Sequence, residues 1–230
     1  MPPGGTGLPA GGDALVLDLA EGIGVAAFEG KVVVLDIRQD RYRAYCGELA
    51  AGLRQIASGD HQHLDPRVIE RLLRLGLVSR GKYLHLRKPI NTLPPVEASA
   101  LEGQDGGTAA KREIVRTFLV CRRIRRDLRR KPLHEVLSRL PENGALSDPA
   151  KLTDFARTFD KAMRPLPFRP RCLPDTLAFA HLARRGGFEI DIVFGVKLEP
   201  FEAHSWAQAG SCVLTDPLEK VRRFTPIFAL

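Results

Sequence analysis

The chain of 230 residues has only four cysteines, Cys46, Cys121, Cys172 and Cys212, and they lie far apart. No CxxC and no Cys–His pair has zinc-ligand spacing, so no metal site is expected. Four scattered cysteines in a chain of this length do not make a disulfide framework either. The N-terminus, MPPGGTGLPAGGDALVLDLAEG, lacks the basic start and the roughly 7–15-residue apolar stretch of a signal peptide. No apolar run nears the ~18 residues of a membrane helix. There is no internal repeat, and neither Gly30–Lys31 nor Gly81–Lys82 belongs to a P-loop. Together these absences predict a reduced, soluble, cytoplasmic protein with no membrane partner.

What is present is enough apolar material for a core, 44% of residues, and an excess of positive charge, +8. Much of that charge sits in one run, CRRIRRDLRRK, at 121–131. A local basic excess favours acidic partners: nucleic acid, an acidic peptide or a negative protein face.

The hydrophobic pattern divides the chain in two. Residues 1–12 are rich in Gly and Pro and are expected to be disordered. Three β-branched runs follow, Gly24–Phe28, Lys31–Ile37 and Arg41–Tyr45, with EGK and RQDR as the turns. Helical spacing then takes over at Leu49, Leu53 and Ile56. DPRVIERLLRLGLV adds an Asp65 cap, Pro66 at the first helical position and a stop at Gly76. Leu77–Val78 and Tyr83–Leu86 suggest a small wing. The expectation is a winged-helix-like βββααα domain over 13–87. RKPINTLPPVEASALEGQDGGTAAK, with three prolines and three glycines, reads as a linker over 88–110. The second half, 111–230, opens with an amphipathic helix through Ile114, Phe118, Cys121 and Leu128. More helices are expected at 132–139, 148–163 and from Cys172. FEIDIVFGVKL alternates as a half-buried strand, and EAHSWAQAGSCVLTD reads as two strands around a turn. Helices followed by an antiparallel sheet make the class α+β.

Cys172, in FRPRCLPDTLAFAHLARRGG, opens a helix. A free cysteine is by default a core residue, and Cys46, Cys121 and Cys212 read that way. A nucleophilic cysteine needs its thiolate, which a helix N-terminus and a neighbouring imidazole both favour. Asp175 in the same turn would oppose this if its charge lay close. Of the six histidines, His61, His63 and His85 fall in the N-terminal half. His181 is on the Cys172 helix itself, and His134 has no orienting partner. His204 has one if 203–208 and 212–217 form a hairpin around Ala209-Gly210-Ser211. Paired residues then sum to 420, which sets Gln208 against Cys212, Trp206 against Leu214 and His204 against Asp216. A slip of one residue would undo that pairing. Spacing alone leaves two readings of Cys172 open, core residue or Cys–His–Asp nucleophile.

PLPFRPRCLPDTLAFAHLARRGGFEIDIVFGVKLEPFEAHSWAQAGSCVLTD resembles the transglutaminase-like cysteine protease domain of lasso peptide B proteins. The features shared are a Cys opening a helix, a strand ending in Gly-Val, a Pro-Phe-x-Ala-His-x-Trp segment and an Asp one strand later. Ser205 stands where alanine is usual. The resemblance covers 111–230 and implies a transglutaminase/papain-like fold, with Cys172 as nucleophile, His204 as base and Asp216 as orienter. VVVLDIRQDRYRAY and LLRLGLV are similar to the PqqD-like element that binds leader peptides, which adds the leader as a strand on a sheet edge. The leader-binding residues implied are Arg41, Tyr42, Arg43, Tyr45 and Leu72, on or near an edge strand.

The function so implied is a leader peptidase. It binds a ribosomal precursor's leader, cuts it from the core and hands the core to an asparagine-synthetase-like macrolactam synthetase. No cofactor is expected on this chain, and any ATP dependence belongs to the synthetase. The rivals are a basic winged-helix nucleic-acid-binding protein built around 121–131, a transglutaminase-like acyltransferase using the same thiol, and an inactive fold kept for recognition. Nucleic acid is the least favoured partner for the basic run, behind a solvated helix face and docking of the synthetase.

Overall fold

The computed structural model of the chain describes residues 17–60, 64–81, 90–103 and 107–230. The N-terminus expected to be disordered (1–12), His61, His63, His85 and the second half of the expected wing (83–86) lie outside the described residues.

The N-terminal half begins with β1 (Leu17–Leu19), β2 (Ile23–Phe28), β3 (Lys31–Asp36) and β4 (Arg41–Cys46). β2, β3 and β4 form an antiparallel meander in that order, with Val34 opposite Val25 and Arg43. The turn between β2 and β3 is short, and Gly30 takes a positive φ of 70° that other residues resist. Two helices follow, α1 (Gly47–Ser58) and α2 (Pro66–Arg74). The Asp65 side chain caps α2 by accepting the Arg67 N–H, and Pro66 occupies its first turn. A third helix does not occur among the described residues of this half. β5 (Val78–Arg80) pairs with β1.

β3 is apolar at every position from Val32 to Leu35 because the sheet is covered on both faces. Val32 and Val34 pack with Leu53, Ile56 and Leu72 of the two helices. Val33 and Leu35 pack into the core of the C-terminal half, beside Ile227 and Phe228. The approach is close at Gly24, where a Cβ would stand 2.3 Å from the Ile227 carbonyl oxygen. The meander is thus the shared wall of two cores.

The C-terminal half contains α3 (Lys111–Arg130), α4 (Leu133–Ser138), α5 (Pro149–Met163), α6 (Cys172–Arg185) and α7 (Leu218–Val221). Its strands are β6 (Ala98–Ser99), β7 (Asp191–Leu198), β8 (Phe201–Ala209), β9 (Cys212–Val213) and β10 (Thr225–Ala229), ordered β10-β7-β8-β9-β6. α6 is buried from Thr176 to Ala183. Its alanines let it lie closely between the sheet and α3. The segment expected to be a linker, 88–110, instead supplies β6, which runs parallel to β9 at the sheet edge. Two residues of strand carry too little periodicity to be read in advance; the partner strand defines them.

Among the described residues no helix is long and apolar enough to cross a membrane. No group of three or more His, Cys, Asp or Glu side chains among them is arranged to hold a metal ion.

Candidate active site

Cys172 is the first residue of α6, and its thiol is half-buried. Arg171, the N-cap, offers no side-chain cap, so the free N–H groups of the first turn face the sulfur's surroundings. Asp175 closes the turn by accepting the Arg171 N–H at 2.8 Å. Its other oxygen takes the Arg125 guanidinium of α3. Burial raises the Asp175 carboxyl above the usual range, and its two donors pull it down only in part. Its charge is paired with Arg125.

Burial also pushes the Cys172 thiol up. A side-chain hydrogen bond and the charge of His204 act against this, with help from the Ser205 and Leu173 backbone N–H groups. The net shift is downward. His204 shifts the other way. Burial lowers it, but Asp216 and the Cys172 thiolate raise it further than burial lowers it, with Lys220 opposing. The two groups therefore favour a thiolate–imidazolium pair.

His204 lies on β8, opposite Gly195 of β7. Its ring packs between Trp206, at 6.2 Å, and Phe224, at 5.1 Å between centroids. A Cβ at Gly195 would come within 2.6 Å of the Trp206 ring. The glycine in the strand's Gly-Val pair thus keeps space for the indole beside the histidine. Thr176 of α6 donates to the Ser205 carbonyl at 3.0 Å and fastens the helix of Cys172 to the strand of His204.

The hairpin register differs from the expected one. Gln208 pairs with Val213 and Ala209 with Cys212, so paired residues sum to 421 and the connection is Gly210-Ser211. Gly210 takes a φ of 54°. Continued as a ladder, this register would set Asp216 off the His204 pair. The ladder stops instead: after β9 the chain bends at 214–216, and the Thr215 hydroxyl replaces a ladder carbonyl by accepting the Ala207 N–H at 3.0 Å. The bend turns Asp216 back, and its Oδ1 stands 3.1 Å from His204 Nε2. That is ion-pair distance, with the ring N–H off the line of a good hydrogen bond. Oδ1 also takes Lys220 Nζ at 2.6 Å, and Oδ2 accepts the Thr215 hydroxyl at 3.1 Å. Burial raises the Asp216 carboxyl, and His204 and Lys220 together bring it below the usual carboxylate range.

Several residues that hold this arrangement were not legible in the sequence. Ser99 of β6 donates to the Asp216 carbonyl at 2.8 Å from 117 residues away. Lys220 sits one helical turn after Asp216, a spacing that is visible only once α7 is known. Trp206 Nε1 donates to Gln208, whose amide reaches the Pro94 carbonyl and so pins the segment leading to β6.

The five residues expected to bind a leader do not share one surface. β4 is an edge strand of the meander. Tyr45 packs towards the α1–α2 core. Tyr42 faces the C-terminal half, edge-on to Phe201 at 5.5 Å. Burial, Asp40 and the nearby Cys172 raise the Tyr42 hydroxyl to about 12. Leu72 is wholly buried beneath the sheet and cannot touch a peptide on its edge; it supports the strands from below. Of the cysteines expected to be core, Cys121 is fully buried, with its thiol pushed up to about 12, whereas Cys46 is exposed at the end of β4.

A cavity of about 460 Å³ opens over Cys172, Thr176 and Asp216, walled by Met163, Phe168 and Arg171. A second cavity, of about 700 Å³, shares Phe168 and Arg171 with it and does not include the thiol.

Compared with known proteins, residues 118–229 match the family model of the transglutaminase-like superfamily. No curated protein and no solved structure matches the chain.

Proposed function

We propose that the transglutaminase-like domain at residues 118–229 is a cysteine peptidase that removes the leader of a ribosomal precursor, with Cys172, His204 and Asp216 as its catalytic residues. The observation that carries this reading is the opposed shift of two neighbouring groups, the Cys172 thiol lowered at an open cavity and the His204 imidazole raised behind it. A core cysteine such as Cys121 shifts the other way.

In this reading the Cys172 thiolate attacks the carbonyl carbon of the leader–core bond. The His204 imidazolium gives its proton to the departing core amine, leaving the leader as a thioester on Cys172. Neutral His204 then takes a proton from water, the hydroxide displaces the Cys172 thiolate, which restores the thiolate–imidazolium pair, and the leader leaves as a free acid. Asp216 keeps the imidazole oriented and favours its charged form. The Cys172 backbone N–H, at the helix start, is the proposed donor to the tetrahedral oxyanion.

The N-terminal half supplies recognition. β4 pairs with β3 alone among the described residues, which leaves its outer edge for an added strand, and Tyr42 on β4 lies near Cys172. Arg41, Arg43 and Tyr45 are the other contacts proposed on that strand. A binding edge on the same chain raises the local concentration of the peptide at the thiol. The resemblance to lasso peptide B proteins carries the finer part of the reading: the core amine so freed is passed to an asparagine-synthetase-like macrolactam synthetase, and ATP, where needed, is used there.

The test is mass spectrometry of the neighbouring small precursor mixed with the protein, with and without the synthetase and ATP. A single leader fragment as a free acid, absent with Cys172→Ala, is the expected result. A leader joined to an amine would reassign the domain as an acyltransferase. Binding without cleavage under every condition would return Cys172 to a structural role.

A further inference from the structure

Seven cations stand on the wall of the 700 Å³ cavity beside the active site. Arg122, Arg125, Arg129 and Lys131 come from α3 and its end, Arg38 from the turn before β4, and Arg169 and Arg171 from the segment that leads into Cys172. Asp40 is the single acid on its described wall. Three of the cations are engaged: Arg38 with Glu21, Arg125 with Asp175, and Lys131 with Asp127 at 4.0 Å. Arg122, Arg129, Arg169 and Arg171 are exposed and have no carboxylate within ion-pair distance among the described residues. Three separate chain segments therefore bring like charges into one concavity, where they repel. Such convergence favours an anionic occupant.

The shape and the interleaved apolar groups narrow its chemistry. A volume of about 700 Å³ suits a single extended chain or a small ligand. Leu128, Leu133, Phe168 and Leu173 alternate with the arginines on the wall, and the Arg125 guanidinium lies 4.8 Å over the Phe168 ring. A bare phosphate has no use for these apolar surfaces, and a duplex does not enter a cleft of this size. Phe168 and Arg171 also wall the smaller cavity over Cys172, so the two spaces share a wall.

We infer that this groove holds an acidic segment of the peptide substrate, so that Arg122, Arg169 and Arg171 select substrates with Asp or Glu close to the bond that Cys172 meets. The place of the groove on the substrate path rests on the peptidase reading; its preference for acidic peptide does not.

The experiment uses the full chain carrying Cys172→Ala and two fluorescein-labelled peptides, (Gly-Glu)5 and (Gly-Gln)5, read by fluorescence anisotropy. The Glu peptide should bind at least tenfold more tightly. Reversal of Arg122, Arg169 and Arg171 to Glu should weaken it at least tenfold. The same reversal at Arg74, Arg112 and Arg139, which changes net charge equally but lies elsewhere, should change it less than twofold. A parallel set with Gln at 122, 169 and 171 should also weaken binding, at an unchanged melting temperature. Equal effects of the two reversals would overturn the inference, as would equal binding of the two peptides. Tighter binding of a 20-nucleotide single-stranded DNA or of inorganic triphosphate at the same arginines would overturn it in favour of those ligands. Charge-dependent peptide binding with no precursor cleavage by the wild type would leave the groove standing and remove the peptidase reading. Cleavage without charge-dependent binding would do the reverse.

Discussion

His204 and Asp216 meet at 3.1 Å although they are not partners across their hairpin. The contact depends on the bend at 214–216, which the Thr215 hydroxyl and the Ser99 hydroxyl hold from two sides. The carboxylate is thus placed by side-chain hydrogen bonds and not by sheet register, and each of these bonds can be tested separately.

Asp216→Asn removes the charge that raises His204 and leaves the shape nearly intact. By analogy with the orienting carboxylate of serine proteases, cleavage should fall on the order of 10³–10⁴-fold. Leader binding and melting temperature should change little. Single-turnover cleavage beside a thermal melt checks this, and full activity would exclude Asp216 from the site.

The thiol of Cys172 should react at lower pH than an ordinary cysteine. Its rate with iodoacetamide follows the thiolate fraction, so the midpoint of rate against pH should lie below the usual 9.0. In His204→Ala burial still raises the thiol and nothing from the ring offsets it, so the midpoint should move above that of the wild type. The folded thiol's value is depressed. Its contribution to stability is therefore present above the unfolded thiol's pKa and is lost as pH falls through the folded value. Cys121 and Cys212, both raised, provide slow internal references in the same mass spectrum.

Lys220→Met should shift the acid limb of hydrolysis to higher pH. Lys220 lowers His204 and shares Asp216 Oδ1 with it. Without the ammonium the imidazolium persists to higher pH, and neutral His204, the base for the second step, appears later. A pH–rate profile with an unmoved limb would make Lys220 a surface pair of little consequence.

Gly195→Ala inserts a methyl group 2.6 and 2.8 Å from two Trp206 ring carbons and 3.0 Å from Phe224 Cβ. Overpacking of this kind costs about 1–3 kcal/mol. Both neighbours carry the His204 ring, so activity should fall further than the loss of folded protein explains. Calorimetry and activity measured on the same preparation separate the two effects.

Ser99→Ala should lower activity severalfold, since Ser99 holds the Asp216 carbonyl from β6. The net loss for one such hydrogen bond is about 1 kcal/mol of stability. Rescue by Thr, and not by Val of similar shape, would assign the effect to the hydroxyl.

The α+β class and most helices were legible because their signals are local. Asp65-Pro66 announces α2, and the alternation in FEIDIVFGVKL announces β7. The pairing of His204 with Asp216 was also reached, but through a register that is off by one. Turn length decided that register, and Ala209 reads as loop until its partner Cys212 is known. β6, Ser99 and Lys220 escaped because they act through partners distant in the chain or through a helix of a single turn. Leu72 was misjudged for a related reason: a leucine near an edge strand looks accessible until α2 is folded beneath the sheet.

The meander wedged between two cores has a consequence for spacing. With Val33 and Leu35 packed into one core and Val32 and Val34 into the other, β3 fixes the place of β4 beside it. The distance from the edge of β4 to the sulfur is then a fixed ruler. On the reading proposed above, a peptide seated on that edge advances about 3.3 Å for each residue, so the count of residues between the seated segment and the cut bond would be metered by the fold. Two residues added to that stretch must loop out, and two removed must leave the bond short of the thiol.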